Sequence, residues 1–69
     1  MIFVFKTSVK NNRQIKELKP HLDTILPQAK WNFDITDIDK ILRIECESDI
    51  VEIVIKLLSM QQFDCEELD

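Results

Sequence analysis

Trp31-Asn32-Phe33-Asp34-Ile35-Thr36-Asp37-Ile38-Asp39-Lys40-Ile41-Leu42-Arg43-Ile44-Glu45-Cys46 is the stretch that decides the fold. Trp31, Phe33 and Ile35 alternate with Asn32, Asp34 and Thr36. Successive strand side chains point to opposite faces, so this pattern predicts a half-buried strand. Leu42, Ile44 and Cys46 alternate in the same way with Arg43, Glu45 and Glu47. Asp37-Ile38-Asp39-Lys40 lies between them and has turn composition. Two alternating strands around a short acidic turn predict a β-hairpin.

Upstream of the hairpin, Ile15, Leu18, Leu22 and Ile25 recur at spacings of three and four, one stripe of a helix. Asn11 or Asn12 is suited to cap its start. Pro20 removes a backbone donor inside the stripe, whose phase nevertheless continues, so a single bent helix is expected, closed by Pro27. Before the helix, Ile2-Phe3-Val4-Phe5 is apolar on both faces, as a central strand is when one side is buried and the other shielded.

Downstream, Ser48 or Asp49 is expected to cap a second helix, with Glu52 in a first turn that favours a carboxylate. Ile50, Val54, Leu57 and Leu58 form its buried stripe. Val51, Ile53 and Ile55 widen the apolar arc beyond what one buried face requires. Phe63 and Cys65 then alternate with Asp64 and Glu66 in a short final strand. The order strand, helix, strand, strand, helix, strand predicts an α+β, ferredoxin-like βαββαβ sandwich. Right-handed crossovers give a four-stranded antiparallel sheet of order 4-1-3-2, with both helices on one face. The other face is expected to carry Asn32, Asp34, Thr36, Arg43, Glu45, Asp64 and Glu66, whose charges protect the edge strands.

Sixty-nine residues make one domain, 1–69, near the lower size limit for folding on a hydrophobic core alone. At 45% apolar and 32% charged the chain reads as globular. Met1 is followed by a strand-like pattern and not by a secretory signal, and the apolar run Ile53 to Leu58 already contains Lys56. A cytoplasmic protein that does not span a membrane is therefore expected. The net charge of −4 argues against generic nucleic-acid binding. The charge is uneven, however: residues 1–31 hold six Lys/Arg and two acids, and residues 32–69 hold three and eleven. Glycine is absent, which disfavours phosphate-cradling loops that need close backbone approach.

The element order and length resemble a heavy-metal-associated domain, the module of copper chaperones and of the N-terminal arms of metal-pumping ATPases. In that family a Met-Thr-Cys-x-x-Cys loop follows the first strand, and an apolar helix residue falls four positions after the second cysteine. With Ile15 as that residue, Lys6 stands at the Met, Thr7 at the Thr, Ser8 at the first Cys and Asn11 at the second. Only Thr7 matches. Gln61-Gln62-Phe63 resembles the family's Gly-Tyr before the last strand, with Gln62 in the place of glycine. The resemblance thus implies the fold and a degenerate member without the metal motif. Cu(I) is soft and needs thiolates, whereas a hydroxyl and an amide are hard, weak ligands.

Neither catalytic residues nor a cofactor is expected. His21 lies beside the apolar stripe and reads as a surface residue, with no nucleophile and orienting carboxylate to form a triad. Asp37 and Asp39 have part of the spacing of a calcium loop but lack its glycine and terminal glutamate. Trp31 reads as core or edge anchor, and the polar sheet face lacks the stacked aromatics of an RNA-recognition motif. Cys46 and Cys65 read as two reduced, semi-buried thiols.

Lys6, Ser8, Lys10, Asn11 and Arg13 cluster about the first helix's N-terminus, where unsatisfied amides favour anions. They form the candidate docking surface, for an acidic protein or a small anion. The leading expectation is a non-enzymatic protein-interaction module, monomeric or weakly homodimeric, that has lost soft-metal binding. One alternative is an unconventional metal handler using Cys46, Cys65 or a dimer site. The other is a small-ligand sensor whose site forms between subunits.

Overall fold

A computed structural model describes residues 1–36 and 40–68, with β1 (Ile2–Thr7), α1 (Asn12–Ile25), β2 (Lys30–Asp34), β3 (Ile41–Glu45), α2 (Val51–Met60) and β4 (Cys65–Leu68) in that order. The four strands form one antiparallel sheet, β2-β3-β1-β4. This is the ferredoxin-like α+β topology, with the expected order 4-1-3-2. The hairpin turn expected at 37–39 lies outside the described residues.

Alternation assigns the two sheet faces. Phe3 and Phe5 of β1, with Leu42 and Ile44 of β3, join Leu18, Leu22, Val54, Leu57 and Leu58 in one buried cluster. Both helices therefore cover the same face, and each of these large side chains contributes about 1.5–3 kcal/mol by leaving water. On the opposite face Val4 stands between Arg43 and Leu68, and Lys6 between Ile41 and Glu66. Ile2, Val4 and Leu68 make this face more apolar than expected. Asp34 approaches Arg43 at 3.8 Å across the β2–β3 pair.

Element ends differ from expectation by a residue or two. β2 stops at Asp34, before Ile35, and β3 starts at Ile41 and ends before Cys46. The last strand begins at Cys65, so Phe63 and Asp64 precede it. In α1 the stripe closes on buried Leu26, four residues after Leu22, and Ile25 is exposed. Asn11 is the cap of α1, its Oδ1 accepting from the Gln14 N–H, while the Gln14 Oε1 accepts from the Lys10 N–H. Pro20 sits inside the one continuous helix. At α2, Asp49 Oδ1 accepts from the Val51 N–H, and Ile50 holds the cap position without a side-chain bond.

The end of α2 shows how a chain without glycine turns back. The Gln62 N–H donates to Ser59 C=O and the Phe63 N–H to Leu58 C=O, the paired bonds of a Schellman motif. Gln62 takes the left-handed conformation that motif requires, with φ 68. A β-carbon there costs about 1–2 kcal/mol. Phe63, half-buried against the core, supplies the hydrophobic contact that accompanies the motif.

Candidate functional site

The β1–α1 segment is bound to the fold at three points. Thr7, buried at the end of β1, donates its hydroxyl to Lys40 C=O at 2.9 Å and accepts from the Val9 N–H. Val9 is fully buried, so it anchors the loop in the core. Ser8 and Asp64 exchange two bonds: the Ser8 N–H donates to Asp64 C=O, and the Asp64 N–H donates to Ser8 Oγ at 2.8 Å. That reciprocal pair ties the loop after β1 to the approach to β4.

The five candidate docking residues therefore divide by what their side chains do. Ser8 and Asn11 are engaged in holding the fold, through Asp64 and the helix cap. Lys6 is exposed on the open sheet face, opposite Glu66 in register. Lys10 and Arg13 are exposed beside the helix start. Arg13 pairs with Glu17 at 3.6 Å, one helical turn on, between two largely exposed side chains. Such a surface pair contributes at most a few tenths of a kcal/mol, so it holds the guanidinium only loosely.

The charge pattern of α1 runs against its dipole. A helix N-terminus favours acids and a C-terminus favours bases. The first turn of α1 has no acid and contains Arg13, while its last turn has no base and contains Asp23. Side chains and backbone thus add, making one end of α1 more positive and the other more negative. Lys19 donates to Asp23 at 2.9 Å and the Trp31 Nε1–H donates to it at 3.3 Å. The Lys19 hydrogen bond is the main cause that holds the Asp23 carboxyl below the usual carboxylate range. Trp31 packs edge-on against Phe33 with ring centres 5.8 Å apart, and Lys19 lies over its ring. It is an edge anchor of the sheet.

The two thiols lie at opposite ends of β1. The Cys46 N–H donates to Met1 C=O, and Cys65 stands opposite Thr7. At about 3.3 Å per strand residue the separation along the sheet is roughly 20 Å. A disulfide needs Cα atoms within about 7 Å, and one ion within a single molecule cannot reach both. Cys46 donates its thiol to Ser48 C=O. Burial pushes the Cys65 thiol up to about 11, which disfavours the thiolate that metals and electrophiles require. His21 is exposed.

Sequence reasoning missed a cleft at the other end of the sheet. The end of α1, the start of α2 and the β3–α2 loop enclose an open cleft of about 740 Å³. Its one signal in the sequence is the surplus apolar arc of α2, where Val51 and Ile55 pack on the core but Ile53 is left exposed.

No family model matches the chain, and neither a curated protein nor a solved structure matches it. The fold thus defines the class, a ferredoxin-like α+β domain. No helix among the described residues is long and apolar enough to cross a membrane.

Proposed function

We propose that this domain works by docking other proteins, without catalysing a reaction or carrying a soft metal, and that the Lys6–Arg13 end is its surface for an acidic partner. One observation carries the reading. Ser8 and Asn11, at the positions where the heavy-metal-associated pattern has its two cysteines, are both engaged in fold-forming hydrogen bonds. What that loop presents outward is the pair of cations Lys10 and Arg13, beside a helix terminus whose own partial charge is positive. Hard hydroxyl and amide oxygens disfavour a soft cation, and the cations beside them favour a carboxylate. The left-handed Gln62 stands at the position that pattern fills with glycine, the residue that conformation favours. The cytoplasm, where thiols stay reduced, suits two cysteines that cannot pair.

The test is backbone-amide NMR of the reduced chain, titrated first with Cu(I) and Zn(II) and then with a polyglutamate peptide. The reading expects no saturable metal-induced shifts at residues 6–13. It expects peptide-induced shifts there, lost in a Lys10→Glu, Arg13→Glu variant. Stoichiometric metal shifts centred on 6–13 would restore a metal role, and shifts centred on Cys46 or Cys65 would favour an unconventional metal handler.

A further inference from the structure

We propose that the cleft between the end of α1 and the start of α2 is a second docking site, which takes a basic amphipathic segment of another protein. Part of its wall is apolar and uncovered, with Met1 72%, Ile25 41% and Ile53 47% exposed about a floor that includes buried Leu26 and Ile50; Gln28, Ser48 and the charged rim make up the rest. A volume of about 740 Å³ falls within the roughly 300–1,000 Å³ of clefts that enclose a drug-sized ligand, room for several side chains. Apolar anchors at helical spacing suit such a groove.

The rim fixes the sign of the occupant. Glu45 and Glu47 line the cleft; Asp49, which caps Val51, and Glu52, in the first turn of α2, adjoin the lining residues Ser48, Ile50 and Ile53 in sequence. Lys30, opposite Glu45 in register, and the α-amino group of Met1 are the cations among the described lining residues, so these four carboxylates outnumber them by two. The C-terminus of α1, with no basic residue in its last turn, and the N-terminus of α2 both open on the cleft, so their backbone potentials oppose one another and the carboxylates set the sign. Lysines or arginines flanking an apolar stripe therefore complement the rim, and an acidic partner is repelled.

The proposal extends the docking reading to the opposite pole without resting on it. The polyglutamate titration reports on residues 6–13, and the probe here reports on Ile25, Cys46 and Ile53. A synthetic Leu/Lys peptide, with leucines at three- and four-residue spacing, is titrated into the labelled 69-residue chain. Two control peptides replace its leucines by glutamine or its lysines by glutamate. The expected result is saturable shifts centred on Ile25, Cys46 and Ile53, with both controls at least about tenfold weaker. Ile53→Gln and Glu47→Lys should each weaken binding about tenfold with an unchanged thermal melt, and Lys10→Glu should not. Equal binding of the glutamine control would reduce the effect to unspecific attraction and overturn the proposal. So would an absence of saturable shifts, or shifts at these residues that depend on the chain's own concentration without peptide, which would assign the cleft to a second copy.

Discussion

The two ends of the sheet use their side chains in opposite ways. At the Lys6–Arg13 end nearly every polar group within the loop is committed: Thr7 to Lys40, Ser8 to Asp64 and Asn11 to the helix, with Val9 sealed in the core. Lys10 and Arg13 extend outward beside the helix start. At the cleft end Met1, Ile25 and Ile53 remain uncovered beneath an acidic rim. One end is well fastened and electrostatic, and the other is apolar and unpartnered. The difference teaches that a very small core can close one pole fully while leaving apolar surface at the other.

The thiols give the sharpest probe of this contrast, because Cys65 belongs to the first pole and Cys46 to the second. With its pKa near 11, Cys65 should be alkylated roughly a hundredfold more slowly in the folded chain than in urea at pH 8, measured by mass spectrometry. Labelling of Cys46 should slow on addition of the Leu/Lys peptide. The Cys65 pKa is raised on folding, so the linked stability is whole below the unfolded thiol's range. It is lost as pH climbs through that range toward 11, and a denaturant midpoint that falls between pH 9 and 11 would show it.

Smaller effects should follow from single bonds. Thr7→Val deprives the buried Val9 N–H of its acceptor and should cost about 1–3 kcal/mol in chemical denaturation. Asn11→Ala, which removes a helix cap, should cost about 1 kcal/mol. Gln62→Gly should stabilise by up to about 1 kcal/mol, since a left-handed residue loses its β-carbon strain while the unfolded chain gains some freedom. Arg13→Glu and Ile53→Gln should each stay within about 0.5 kcal/mol of the parent while altering binding at their own poles. For Arg13 the lost Glu17 pair is offset by a better match to the helix dipole. A large destabilisation by either would mean that its pole is structural, and the comparison would fail. The smallest effect belongs to Asp23: its lowered pKa gives a contribution present above the unfolded carboxylate range and lost as pH falls through the folded value. Lys19→Met should remove most of it from the acid limb of the stability curve.

Much of this architecture was legible in the residues. Alternation in Trp31–Cys46 and the three-four spacing of Ile15 to Leu22 are local periodicities, and they placed the paired strands β2 and β3 and the helix α1 to within a residue or two at their ends. The candidate loop was legible as a cluster of cations. That Ser8 serves Asp64 was not, because the two residues are 56 positions apart and meet only when β4 pairs with β1.

The sequence by itself determined the element order, the covered sheet face, the buried stripe of α2 and the unequal charge of the two halves, because these follow from local periodicity and composition. Tertiary structure alone decided four things: that Leu26 and not Ile25 closes the α1 stripe, that Gln62 turns left-handed without glycine, that the cysteines stand at opposite ends of β1, and that a cleft forms beside Ile53. Each depends on which distant segments pack together. Buried area and hydrogen bonds gained across the fold outweigh local preferences of about 1 kcal/mol, and no local pattern records that balance.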